Sequence, residues 1–186
     1  FWRSRDDLDV PDTQAINFSI PFYYDEGMTG PPAGFTLHAG LVRPHSVGSI
    51  SLSGPNVDDE PVIDFGLFTD ERDLAALIAS VRQCREVGRQ EALTAWGATE
   101  ILPGPDVDDD DEALATWVRR AVNTYHHQCG TCRMGGDETS VVSPELAVRG
   151  VDGLTVADAS VFPFVPTGNT NAPTVMVAER AAEILT

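Results

Sequence analysis

Residues 125–135 read Tyr-His-His-Gln-Cys-Gly-Thr-Cys-Arg-Met-Gly, which sets two imidazoles and two thiols on one short, glycine-bearing stretch. Three chemistries use such groups. A metal site could draw on His126 or His127 with Cys129 and Cys132, ligands of the borderline-soft kind that zinc prefers. It would need a fourth ligand, and the other histidines, His38 and His45, lie far away in the chain. A dithiol redox centre could use Cys129-Gly-Thr-Cys132, although such a pair usually opens a helix after a strand and here glycines surround it. A histidine on a rigid loop could instead act as general base, since an unperturbed imidazole titrates at about 6.5 and accepts a proton near neutrality. The residue types alone leave all three open.

The elements that would position this loop follow from the periodicity. Residues 14–24, 34–42, 48–52 and 61–65 are rich in β-branched and aromatic residues and read as extended segments. From Thr69 the pattern changes, with Leu74, Leu77, Ile78, Val81 and Cys84 recurring at spacings of three and four, which predicts an amphipathic helix to about Leu93. Cys84 on that stripe reads as a buried structural thiol. Thr69 or Asp70 can cap the helix. A Pro/Gly stretch at 102–106 interrupts the chain, and the acidic run 108–112 reads as the solvated start of a second helix, from about Asp110 to Val122. The histidine loop follows, over residues 124–136. A short strand is expected at 154–157, then a Pro/Gly/Asn-rich loop at 160–171. A last helix runs from about Ala172 to Leu185, with Asn171 placed to cap it and Pro173 tolerated in its first turn.

These elements predict an α+β fold, a largely antiparallel sheet with helices on one face, and a single folded unit over residues 1–186. With 186 residues, 42% hydrophobic, the chain can bury a sizeable core. Its 29 acidic and 12 basic residues, all of the latter Arg, give a formal charge of −17, which argues against nucleic acid and anionic membrane surfaces as partners. No run approaches the roughly 20 apolar residues of a membrane helix. Three cysteines, an odd number, are unlike a disulfide-stapled scaffold and point to a reducing, cytoplasmic setting.

Three ordered motifs narrow the choice. His127, Gly130, Thr131, Cys132, Met134 and Gly135 fit H-x-x-G-T-C-x-M-G; residues 148–160 fit V-x-G-V-x-x-L-x-V-x-D-A-S; and residues 168–174 read Gly-Asn-Thr-Asn-Ala-Pro-Thr ahead of a helix with Ala178-Glu179 and Ala181-Ala182. Together they closely resemble the C-terminal part of the glucose-methanol-choline family of flavoprotein oxidoreductases. Arg43-Pro44-x-Ser46 and Pro61-Val62-Ile63-Asp64 resemble the same family, so the likeness covers nearly all the chain. The resemblance implies oxidation of a small alcohol, with a proton passing to a histidine and a hydride to N5 of FAD. It places the histidine at His127 and its hydrogen-bonding partner at Asn169. His126, Asp158, Ala159, Thr170 and Asn171 are implied to face the cofactor, with the last helix aiming its positive end at the flavin.

The family holds the adenosine diphosphate half of FAD on a G-x-G-x-x-G turn, and this sequence contains none. The chain is therefore expected to be a C-terminal fragment, or one chain of a split enzyme, that works with an N-terminal FAD-binding part. Two other readings stay open: a His/Cys metal-binding structural module, and a non-catalytic domain descended from the enzyme. The identity of the alcohol is also open, as is the choice among oxidase, dehydrogenase and lyase.

Overall fold

The first strand, β1 (Thr13–Phe18), pairs antiparallel with β2 (Thr36–Leu41), from Thr13 opposite Leu41 to Phe18 opposite Thr36. The computed structural model describes residues 1–24 and 27–185. Helix α1 (Glu71–Gly88) packs on both strands, and α3 (Asp111–Ala121) packs on α1. Because α1 is covered by strands and by a helix, its buried residues exceed one stripe: Leu74, Ile78, Val81 and Cys84 are joined by Ala76 and Ser80, while Leu77 is half-buried. Leu114 and Val118 of α3 complete this core.

Both helices start where the acidic residues predict. The Asp70 carboxylate accepts the Arg72 N–H at 3.0 Å, and that of Asp110 accepts the N–H groups of Glu112 and Ala113, each at 3.0 Å. The first helix stops at Gly88, a poor helix former, and a separate short turn α2 (Glu91–Thr94) takes up the remainder of the span expected to reach Leu93. Arg85, with its side chain 5% exposed, reaches from α1 to Glu100 Oε1 and Asp109 Oδ1, both at 3.0 Å, and to the Val107 carbonyl at 2.9 Å. The irregular segment between the helices is thus tied to α1 by a buried guanidinium bonded through each of its three nitrogens.

The chain divides into two compact units, Phe1–Leu41 with Asp70–Tyr125, and Val42–Thr69 with His126–Thr186. The divisions fall at a strand end, at a helix cap and inside the histidine loop, with none of the linker composition that marks a boundary in sequence. The α+β class holds. Among the described residues its strands form two separate two-stranded antiparallel ladders in place of one larger sheet.

In the second unit β3 (Ser49–Ser51) pairs antiparallel with β4 (Val62–Asp64), and both strands are exposed. The core here consists of Val142, Leu146, Val161, Phe162, Val177 and Ala181. It is built mostly from loops, bridged at Met134–Val142, Val142–Val148 and Ala147–Thr155. The strand expected at 154–157 is reduced to the last of these bridges. Ala159–Val161 forms a single 3₁₀ turn, and α4 (Asn171–Leu185) closes the chain, burying Val177 and Ala181.

Candidate active site

The histidine loop is irregular, as expected, and two backbone bonds fix it: Cys132 N–H to the Ser160 carbonyl at 2.9 Å, and Met134 N–H to the Val161 carbonyl at 2.8 Å. These tie the first sequence motif to the second. Gly130 adopts φ +91°, a region closed to most side chains, and Cys129 packs against the core cluster. Cys129 is thus a packing residue, and burial raises its thiol pKa above the ordinary value. Among the described residues no three His, Cys, Asp or Glu side chains gather as metal ligands. His38, one of the distant histidines weighed for such a site, lies instead among the rings of Phe18, Tyr24 and Tyr125 in the first unit, where burial lowers its pKa.

His127 meets two consecutive residues from the third motif. Asn169 Nδ2 lies 2.7 Å from its Nε2, and Thr170 Oγ1 lies 3.0 Å from its Nδ1. Side chains 42 positions apart in the chain are thereby brought into one hydrogen-bonded group at the start of α4. Asn169 is exposed, His127 half-buried and Thr170 8% exposed, so the group has a sealed side and an open one. A turned amide would suit an Nε2–H ring, but with its nitrogen facing the ring Asn169 donates to Nε2 and a neutral ring carries its proton on Nδ1. A ring in this state presents its basic nitrogen on the open side.

The other expected residues are placed as follows. His126 is exposed with φ +60°, an uncommon backbone state for a residue with a side chain, of the kind that collects at functional sites. Asp158 caps the 3₁₀ turn: its Oδ1 accepts the Ser160 N–H at 2.8 Å and also the Ser160 hydroxyl, and these bonds lower its pKa. Ala159 packs partly against the core cluster. Asn171 is the first residue of α4 instead of its cap. Thr170 supplies the carbonyl that receives the Thr174 N–H at 3.0 Å, and its hydroxyl is turned to His127. The sequence reading missed that contact; the adjacency of Thr170 to Asn169 was the signal for it.

The open side is bordered in sequence by exposed apolar residues, Phe164 within the 160–171 loop and Val175 and Met176 on α4. Phe164 also carries the Arg43 guanidinium 6.0 Å above its ring.

Residues 44–178 match the family model for the C-terminal domain of GMC oxidoreductase, and the chain belongs to the GMC oxidoreductase family. It is 39% identical over 183 residues to an oxygen-dependent choline dehydrogenase of Chromohalobacter salexigens, a match covering 98% of this chain and 33% of that protein. It is 40% identical over 186 residues to an alcohol dehydrogenase [acceptor] of Pseudomonas putida, covering 100% of this chain and 33% of the relative. The chain thus spans about a third of the length of these relatives. Among solved structures, pyridoxine 4-oxidase from Mesorbium loti superimposes with a TM-score of 0.87 at 32% identity, covering 93% of this chain and 34% of that one. A formate oxidase from Aspergillus oryzae, whose structure concerns FAD modification, gives 0.84 at 25% identity, covering 96% and 32%.

Proposed function

We propose that this chain carries the proton-transfer half of an FAD-dependent oxidoreductase that oxidises the CH–OH group of a small alcohol, and that it works with an N-terminal FAD-binding part. The observation that carries this reading is the 2.7 Å contact between Asn169 Nδ2 and His127 Nε2. Family membership supports the reaction class, as do the choline and alcohol dehydrogenases among the relatives.

The donor set beside His127 fits a flavin. Helix α4 is 15 residues long and starts directly after Asn169 and Thr170. In its first turn the N–H groups of Asn171 and Ala172 have no partner within the helix, and both residues are exposed. Such an end favours negative charge, which a reduced flavin carries near N1 and its C2 carbonyl. Asn171 and Ala172 would hold that edge, and Asp158 and Ala159 would lie toward the ribityl chain. When bound, FAD supplies the hydride acceptor.

The chain's own residues handle the proton. In the absence of substrate, Nε2 and the Asn169 amide satisfy one another. An entering alcohol hydroxyl replaces that bond with two, donating to Nε2 and accepting from Nδ2. The alcohol proton then passes to Nε2 as the C–H pair leaves as hydride and the C=O bond forms, and Asn169 keeps its bond to the oxygen throughout. Asn169 orients the oxygen without competing for the proton.

The test uses the full enzyme, this chain joined to its FAD-binding part. Anaerobic mixing with choline or a primary alcohol bleaches the flavin absorbance in the wild type. The His127→Ala variant retains flavin but reduces it about 10² to 10⁴ times more slowly. Wild-type bleaching rates in that variant, measured by stopped flow, would overturn the reading.

A further inference from the structure

We infer that Thr170 is a positioning residue that fixes the orientation of the His127 ring and accepts its Nδ1–H in the tautomer that leaves Nε2 basic. This rests on the reading of His127 as proton acceptor. A neutral imidazole carries one N–H, and only the other nitrogen can take a proton. A base that must receive a proton at Nε2 therefore needs its resting N–H on Nδ1. Asn169 cannot guarantee this alone, because its amide can turn to present Oδ1, which would suit an Nε2–H tautomer equally well.

The Thr170 hydroxyl meets the ring at its other nitrogen; it can donate to a bare Nδ1 as well as accept from Nδ1–H, and once an alcohol hydroxyl donates to Nε2 only the accepting role remains. It lies 3.0 Å from Nδ1 and belongs to a residue only 8% exposed, so water has little access to compete for the Nδ1 proton. Its backbone is fixed as well: the Thr170 carbonyl accepts the Thr174 N–H at 3.0 Å and the Thr174 hydroxyl at 2.7 Å. The oxygen that faces Nδ1 is thus carried on the residue just before α4, adjacent to the amide that meets Nε2. The two contacts lie on opposite sides of the ring, so rotating the imidazole by half a turn would present carbon where each partner needs nitrogen. Once Nε2 has taken the alcohol proton, the same Nδ1–H bond becomes charge-assisted and stronger. Thr170 therefore acts on the reaction through His127 and touches no reacting atom.

The experiment compares Thr170→Val, which keeps the shape and removes the hydroxyl, with Thr170→Ser, which keeps the hydroxyl, both in the full flavin-loaded enzyme. Two quantities are read: the limiting rate of anaerobic flavin reduction by a primary alcohol, and the ¹⁵N shifts of the His127 ring in histidine-labelled protein, assigned by their loss in His127→Gln. The wild type and Thr170→Ser are expected to show a protonated Nδ1 and an unprotonated Nε2. Thr170→Val is expected to shift toward a mixture of tautomers and to lose about 10- to 100-fold in the limiting rate, the worth of one hydrogen bond to a group that becomes charged, with Thr170→Ser restoring most of it.

Wild-type ring shifts in Thr170→Val overturn the inference even if the rate falls, since the effect is then structural. An Nε2–H tautomer in the wild type overturns it directly. Failure of the underlying reading looks different: His127→Gln would then reduce flavin at the wild-type rate whatever Thr170 does.

Discussion

Both nitrogens of His127 are met by residues that are neighbours in the chain, so the orientation of one ring depends on how a single helix begins. The meeting of His127 with Asn169 was legible in the three motifs, because spacing to Gly130-Thr131-Cys132 selects His127 over His126 and the Gly-Asn-Thr-Asn run supplies Asn169. The contact of Thr170 with His127 was not legible: a motif records which residue is present, but not toward which neighbour a hydroxyl turns. Two titratable groups of the first unit also depend on burial that sequence does not show. Burial pushes the Cys84 thiol from its ordinary 9.0 up to about 11. Burial, followed by the nearby Cys84 and Tyr24, pushes the Tyr125 phenol from 10.0 up to about 12. Above the lower value of each pair the unfolded chain releases a proton that the folded chain keeps, so stability falls as pH rises. The urea midpoint is expected to decline from about pH 9 upward, and Cys84→Val should decline less over the interval to about pH 11. Equal pH slopes for the two proteins would count against this account.

Element by element, the helices were the most readable part of the chain, since a period of three and four with acidic residues at the start states both the element and its beginning. Asp70 and Asp110 cap as their positions suggest. The extended segments were read correctly in kind, but their pairing was not: short strands carry no record of which partner they take, and here they form two ladders. Residues 154–157 show why, since a single bridge to Ala147 leaves the segment held by the core cluster more than by a ladder. The cap on α3 gives a measurable consequence. Asp110→Ala removes the acceptor for two backbone N–H groups and is expected to cost about 1 kcal/mol, read as a lower urea midpoint with unchanged slope. Asp110→Asn, which keeps a capping oxygen, is expected to recover most of it, and an equal loss in both variants would rule out capping as the cause.

At the scale of the whole molecule, two cores share one chain. The core of the first unit is drawn from α1 and α3, with Leu114 at 0% exposure, and that of the second is drawn from Val142, Val161, Phe162 and Val177. Leu114→Ala is expected to destabilise the first unit by about 3 to 5 kcal/mol. Amide exchange should quicken in α1 and α3 before it does around Val142 and Val161, whereas uniform acceleration across the chain would show that the units unfold as one. The backbone passes from one unit to the other after Leu41, after Thr69 and after Tyr125. Cutting the polypeptide at any one of these passages cannot liberate either unit whole: a piece beginning at His126 would lack β3 and β4, and a piece ending at Leu41 would lack every helix that covers its strands. A gene-truncation or limited-digestion survey should accordingly yield no half-length product with native packing, and swapping one unit between relatives would require two simultaneous grafts.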